Sequence, residues 1–239
     1  MWILVLGLLQ LFPSLLSANP LHALIVTVRD PDQPLPKLNH PLTLLQYPHR
    51  IYNRGLDDFP PDYHTAVELS NVGGECFIYF KHLYLHYHHL PQFTIFGNLS
   101  QFLPTQNCRD LPIIMTSKTG TLAKENDGFG FLGEGCGLDT TLDEKNTAPP
   151  GAQNEILELL GVNDLPKNSK YLKGSFFVVT KEAILRNPRS YYLGLSRRFG
   201  TAAFATKRMA LMERLWPVVF QSNCLSTEPY HCVYRPEKV

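Results

Sequence analysis

The sequence predicts a single α/β domain with a mostly parallel sheet, helices on both faces and a long central loop. Three observations favour this fold. Three apolar stretches of strand length lie within residues 24–69, a glycine turn then opens an amphipathic helix, and another strand follows that helix. Alternation of strands and helices is typical of parallel sheets, whose crossover connections cover the sheet faces.

The composition suits one domain with its own core. The chain has 239 residues, of which 44% are hydrophobic, and no proline- or serine-rich linker separates two periodic regions. We therefore interpret residues 19–239 as one domain, with its core motifs at 24–100 and 171–220. The formal net charge is +1 and no basic run is interleaved with aromatic residues. We expect no nucleic-acid partner.

The first 18 residues are apolar and end in small side chains. Pro13 interrupts them, and they are shorter than the ~20 residues of a membrane span. They resemble a signal peptide cut after Ala18, although no Lys or Arg precedes the apolar run. The alternatives are an uncleaved anchor or a buried helix of a cytosolic protein. We expect a secreted or lumenal protein without a stable span in the mature chain, and a glycosylation sequon at Asn98 fits that expectation.

Five cysteines suit an oxidising compartment. Cys224 and Cys232 lie in the polar C-terminal tail and form one candidate disulfide. Cys108 and Cys136 flank the central loop and form another. Cys76 is then left as a buried thiol. Spacing does not fix connectivity, so other pairings stay open.

Four strands are predicted in the first half of the chain, from β-branched and aromatic runs bounded by turn residues. They span residues 24–28, 50–53, 65–69 and 93–96. Residues 71–74 (Asn-Val-Gly-Gly) are predicted to turn tightly, because glycine adopts left-handed backbone readily.

The helix after this turn is predicted over residues 76–89, because apolar side chains recur on one stripe. The stripe consists of Cys76, Phe80, Leu83 and Tyr87. Together with the strands on either side, the helix is interpreted as a βαβ crossover. Such units place ligand sites at strand ends.

The second half of the chain is less regular. Residues 101–150 are rich in Gly, Asp, Asn and Thr, and we interpret them as one long loop. A short helix is predicted at 155–160, and Gly161 ends it. The C-terminal region then returns to an ordered pattern.

A strand is predicted at 176–179, and the next residue, Thr180, is suited to cap a helix over 181–186. Pro188 suits the first turn of another helix. A last helix is predicted to begin at residue 206 or 207, where apolar residues take core spacing.

One face of the helix at 76–89 carries candidate functional residues. Glu75, Tyr79, His82 and His86 follow one another at i, i+4, i+7 and i+11. Glu75 lies at the positive end of the helix dipole and suits an acid, a base or an acceptor of a sugar hydroxyl. The alternative is an ordinary hydrogen-bonded helix face. The two histidines lack the neighbouring glutamate and third ligand of a zinc site, so we predict no metal ligands among them.

Glu213 is the other carboxylate of interest, because it shares a helix with core residues. Paired with Glu75, it would suit a hydrolase if the two carboxyl groups lay about 5–10 Å apart. No P-loop or Gly-x-Ser-x-Gly elbow occurs in the chain.

Several of these motifs, in the same order, resemble a family catalogued as domain of unknown function 3431. The match covers about residues 24–100 and 171–220. It rests on residues 51–55, residues 69–75, Tyr79, His82, Tyr87, Leu90-Pro91, Phe96, residues 174–180, Arg186, Pro188, Tyr191 or Tyr192, residues 213–217 and Phe220.

The resemblance implies a fold similar to nucleotide-sugar glycosyltransferases of the GT-A type. With this fold, the partner would be a nucleotide sugar or a glycan. Glu75 and Glu213 are then the candidate catalytic residues, because of their places at a strand end and on helices. The residues expected to bind the substrate are Asn53, Arg54, Asn71, Tyr79 and His82. Such enzymes commonly hold Mn²⁺ or Mg²⁺ through an Asp-x-Asp motif, which the position after Phe96 lacks.

Three departures from the family pattern motivate an alternative function. Gly74 replaces the usual arginine, residues 96–99 (Phe-Gly-Asn-Leu) replace Phe-x-Gln-Gly, and residues 29–32 (Arg-Asp-Pro-Asp) replace Arg-Tyr-x-Glu. The alternative is a non-catalytic secreted domain that binds carbohydrate or protein on the same fold.

Overall fold

The computed structural model describes residues 23–29, 48–54, 66–68, 74–99, 117–132, 152–162, 174 and 176–222. The proposed signal peptide, Asn71 and every cysteine except Cys76 lie outside these ranges. The strands are β1 (Ala23–Arg29), β2 (His49–Asn53), β3 (Ala66–Glu68), β4 (Phe93–Asn98), β5 (Phe129–Phe131) and β6 (Phe177–Thr180). The helices are α1 (Gly74–His86), α2 (Ser117–Glu125), α3 (Ala152–Leu160), α4 (Lys181–Leu185), α5 (Arg189–Phe199) and α6 (Ala202–Val219), and a 3-10 turn at Tyr87–His89 extends α1.

The strands form one mixed sheet in the order β3-β2-β1-β4-β6-β5. The pairs β1–β2, β2–β3 and β1–β4 are parallel, whereas β6 is antiparallel to both β4 and β5. Strand β6 therefore runs against its five companions. The predicted α/β class is confirmed, with this mixed sheet at its centre.

The carboxyl ends of the first four strands lie on one edge of the sheet. Arg29 is in register with Asn53, and Asn53 with Glu68, while Asn98 is level with Val28. We call this the carboxyl edge and the opposite one the amino edge. Helix α1 connects β3 to β4, but β2 and β1 lie between those strands, so the predicted crossover spans two strands.

Helices cover both faces of the sheet. On one face, Trp216 of α6 is fully buried, with its ring centroid 4.9 Å from Phe177, 5.3 Å from Phe80 and 5.7 Å from Tyr79. Rings at these separations make favourable tilted contacts. On the other face, α2 packs on β5 and β6, where a Cβ at Gly130 would meet Leu122 of α2 at 2.7 Å.

The prediction of one long loop over residues 101–150 was wrong, because this region contains α2 and β5. Strand β5 is only three residues long and has Gly130 at its centre. Glycine weakens a strand pattern, but here it is needed because Leu122 packs directly over it.

Several predicted element ends are confirmed and others shift. The Thr180 hydroxyl accepts a hydrogen bond from the Ala183 N–H at 3.2 Å and caps α4, and Gly161 ends α3 with φ +74°. Pro188 precedes α5 as its N-cap residue. Helix α6 begins at Ala202, four or more residues before the predicted start.

Within the described ranges, none of the helices combines the length and the apolar character that crossing a membrane requires.

Candidate functional site

The order of the sheet marks one place on the carboxyl edge. Strands β2 and β3 lie to one side of β1, and β4 lies to the other side. In open α/β sheets, ligands bind outside the carboxyl ends of the strands where the order switches in this way. The crevice between the ends of β1 and β4 is therefore the candidate site.

Glu75 and Asn98 meet at this crevice. Asn98 is the last residue of β4 and is 7% exposed, and its Nδ2 donates a hydrogen bond to Oε1 of Glu75 at 2.9 Å. Glu75 lies in the first turn of α1, where free backbone N–H groups and the helix dipole favour a negative charge. The strand end and the helix start together fix the position of this carboxylate.

A buried cation lies at the neighbouring strand ends. Arg29 is 1% exposed, and its Nη1 donates a hydrogen bond to Oδ1 of Asn53 at 3.1 Å. Asn53 itself is 2% exposed, and the backbone N–H of Arg54 donates to the carbonyl of Arg29 at 3.1 Å. A buried guanidinium is tolerated only with such partners, so Asn53 has a structural role in holding Arg29.

The backbone of Glu213 is hydrogen-bonded to the segment that leads into β6. Helix α6 continues through Pro217, which has no N–H to offer the carbonyl four residues earlier. That carbonyl belongs to Glu213, and it accepts a hydrogen bond from the N–H of Gly174 at 3.2 Å instead. Gly174 precedes β6, whose first residue, Phe177, is level with Phe96 near the carboxyl edge.

The two predicted catalytic carboxylates lie near the same thiol. Cys76 is free and buried, as predicted. Burial raises the pKa of the Cys76 thiol well above its usual value, and the negative charges of Glu75 and Glu213 raise it further. The structure thus brings Asn53, Glu75 and Glu213 to the same edge of the sheet.

Gly74, the last residue of the predicted glycine turn, is constrained in two ways. Its φ is +62°, and a Cβ at this position would lie 2.1 Å from Sδ of Met209 on α6. A side chain such as arginine therefore needs both strained backbone and a displaced Met209.

Tyr79 and His82 lie in the core, and both are 0% exposed. The Tyr79 ring packs 4.8 Å from Phe96, and Nδ1 of His82 lies 2.9 Å from the hydroxyl of Tyr52. Helix α1 starts at the carboxyl edge and then runs along the sheet, so the face that carries Glu75 becomes buried one turn later. The geometry supports packing roles for both residues, and their binding of a substrate stays a prediction.

The surroundings of the two histidines of α1 disfavour their protonation. Burial lowers the pKa of His82 well below its usual value, and the positive charges of His86 and Arg50 lower it further. Burial also lowers the pKa of His86, and Arg50 and His89 add to this. The His82 and His86 rings lie 4.7 Å apart, and the Arg50 guanidinium contacts Nε2 of His86.

The described residues at the carboxyl edge do not fit a Mn²⁺ or Mg²⁺ ion. These cations prefer carboxylate oxygens, but the strand end after β4 carries the Asn98 amide, which is directed at Glu75. Two aspartates of the region predicted as a loop, Asp127 and Asp139, could supply an acid from elsewhere. Asp127 lies before β5 at the amino edge, since Phe129 is level with Val179. Across the described ranges, no three His, Cys, Asp or Glu side chains are grouped to hold a metal. Asp139 lies outside those ranges.

Two residues at the carboxyl edge were not predicted as parts of a binding site. They are Arg29 and Asn98, which contacts Glu75. Each is the polar residue that ends a buried apolar strand. That pattern is visible in the sequence and is the signal that would have identified them.

Comparison with known proteins identified no similar protein. No family model matches the chain, and neither a curated protein nor a solved structure matches it significantly. The resemblance described above therefore rests on its motifs alone.

Proposed function

We propose that the chain is a glycosyltransferase-like protein of the secretory pathway that binds a nucleotide sugar at the crevice between β1 and β4. The observation that carries the proposal is the Glu75–Asn98 pair, a partly buried carboxylate–amide contact at the switch point of the sheet. A carboxylate held in this way suits the recognition of sugar hydroxyl groups.

The sheet supports the same proposal. Its order, with a single reversed strand beside β4, is compatible with the GT-A-like fold that we propose. Likeness of fold supports the location of the site more than the reaction, because one fold serves many functions.

The carboxylates suggest a division of roles. Glu75 accepts hydrogen bonds from the donor sugar, and Asn53 and Arg54 line the neighbouring strand end. Glu213 acts as the general base: it takes the proton of the acceptor hydroxyl while that oxygen bonds to the anomeric carbon. The bond from this carbon to the diphosphate breaks, and the nucleoside diphosphate leaves with its electrons.

A non-catalytic binding domain on the same fold is the second candidate. The observation that favours it is the amide of Asn98 at the strand end where a metal-dependent transferase requires an acid. A domain of this kind would keep the sugar-binding carboxylate and lack turnover.

A thermal-shift experiment tests both candidates. Purified protein is heated with uridine and guanosine diphosphate hexoses, with and without Mn²⁺. A ligand at 100 times its Kd stabilises the fold by about 2.7 kcal/mol. We expect the midpoint of wild type to rise and Glu75→Gln to lose the rise. Glu182→Gln is the matched control, because Glu182 is exposed on α4 beyond the amino edge.

The outcomes separate the candidates. A shift that depends on Glu75, together with release of nucleoside diphosphate, supports the transferase. The same shift without release supports the binding domain. No shift with any nucleotide sugar, while the protein stays folded, contradicts nucleotide-sugar binding.

A further inference from the structure

We infer that Asn98 is a positioning residue for Glu75, and that the sequon it begins stays unmodified in the folded protein. The inference relies on the proposed function only for the task of Glu75. Its physical basis is the location of one atom, the side-chain nitrogen of Asn98.

That nitrogen is the atom to which an N-linked glycan is joined. In the fold it donates to Glu75 at 2.9 Å, at the end of a strand in which every residue is buried. Val28, level with Asn98 on β1, is 0% exposed, and the next residue, Leu99, is 1% exposed. A sugar bonded to Nδ2 would have to displace the Glu75 carboxylate at this buried strand end, whereas used sequons lie on exposed surface.

The contact also has a chemical consequence for Glu75. A donor that points at a carboxylate stabilises its charged form and fixes the direction of its oxygens. An aspartate at position 98 would do the opposite, because it would place a second negative charge beside Glu75. Asn98, at the end of β4, therefore acts as a hydrogen-bond donor to the Glu75 carboxylate.

The titration of Glu75 tests the positioning role. The carboxyl carbon of Glu75 is followed by NMR against pH in wild type, Asn98→Ala and Asn98→Asp. We expect Asn98→Ala to raise the pKa of Glu75 by about one unit, since a hydrogen bond to a charged group is lost. Asn98→Asp should titrate with Glu75 as a coupled pair. An unchanged pKa in a folded Asn98→Ala protein overturns the positioning role.

Glycan occupancy tests the second claim. A control sequon is introduced at Gly161, which is exposed, has φ +74° and has open space around its Cβ. The double variant Gly161→Asn/Asn163→Thr is secreted from a glycosylating host. Only folded chains that carry the control glycan are analysed, because that glycan shows that the chain was exposed to the glycosylating enzyme.

In those chains we expect the peptide that contains Asn98 to be unmodified by mass spectrometry. A folded chain with a glycan on Asn98 overturns the inference. Neither measurement uses a nucleotide sugar, so failure of the proposed function and failure of this inference are separate results.

Discussion

At the scale of single residues, Gly74 shows how the start of α1 depends on the absence of a side chain. Its left-handed backbone makes the turn before the helix, and Met209 fills the space that a Cβ would occupy. The same contact brings α6 against the first turn of α1, next to Glu75. Arginine, the usual residue at this position in the family that the motifs resemble, is therefore incompatible with the present packing of Met209.

Gly74→Ala is expected to lower the free energy of unfolding by about 2 kcal/mol, because alanine is strained at positive φ and Met209 must move. Urea unfolding measures this loss. Gly194→Ala is the matched control, since Gly194 lies inside α5 with nothing within 4 Å of its Cβ. That change should instead stabilise the protein by about 0.5–1 kcal/mol. Equal stabilities for Gly74→Ala and wild type would contradict the argument.

Sequence separation between single residues explains which site residues could be predicted. Glu75 is recognisable because a carboxylate directly after a glycine turn is a local helix-start signal. Its partner Asn98 is 23 positions away, and Arg29 and Asn53 are 24 apart. These contacts exist only after the strands have taken their register. A local pattern can therefore mark Arg29 and Asn98 as strand-end polar residues, but it does not give their partners.

At the scale of elements, α1 passes from the site into the core within one turn. Its polar face carries Glu75 at the edge and then His82 against β2. The periodicity of the sequence predicts that these side chains share a face. It does not predict that this face turns towards the sheet, because that depends on the angle at which the helix packs.

The α1–β2 contact should make stability depend on pH. The pKa values of His82 and His86 are lowered in the fold, so the unfolded chain takes up protons first as the pH falls below about 6.5. The free energy of unfolding is then lost at up to about 1.4 kcal/mol per pH unit for each histidine. Tyr52 and Arg50 face these rings from β2, and His89 adds its charge from the 3-10 turn.

Urea unfolding at pH 7.5 and 5.5 measures this loss. His82→Gln should reduce it, since glutamine does not titrate and its amide oxygen can still accept from Tyr52. His88→Gln, at an exposed position, is the control and should behave as wild type. A wild-type stability that does not fall between the two pH values would refute the prediction.

Elements differ in how far local sequence determines them. Strands β1, β2, β4 and β6 are apolar runs with their own boundaries, and all four were predicted and confirmed. Helix α2 and strand β5 were missed, because β5 is stabilised by β6 on one side and by the contact of Leu122 with Gly130. The sheet order depends on pairing between distant segments and could not be derived from periodicity.

At the scale of the whole molecule, Trp216 joins the layers. Its ring contacts Phe80 of α1, Phe177 of β6 and Phe220 after α6, and it is 1% exposed. The helical layer and the sheet therefore share one aromatic cluster. Loss of this ring affects both layers at once.

Trp216→Ala should lower the free energy of unfolding by about 3–5 kcal/mol, because a large cavity opens in the core. Trp216→Phe should cost clearly less, since part of the ring volume remains. Chemical unfolding followed by circular dichroism measures both. Leu185→Ala, at a position 42% exposed, is the control and should change stability little. A similarly small effect of Trp216→Ala would show that the layers do not depend on this ring.

The place of β6 in the sheet has a consequence for the order of folding. It is the last of the described strands in the chain, yet it lies between β4 and β5. During synthesis, β5 therefore leaves the ribosome before β6, its hydrogen-bonding neighbour, has been made. Strand β4 also lacks its β6 partner until then. Such long-range pairing is formed slowly because a long loop must close first. A chain that stops before residue 177 would lack β6. Strand β5 would then also be unpaired among the described strands, because β6 is its neighbour in the sheet.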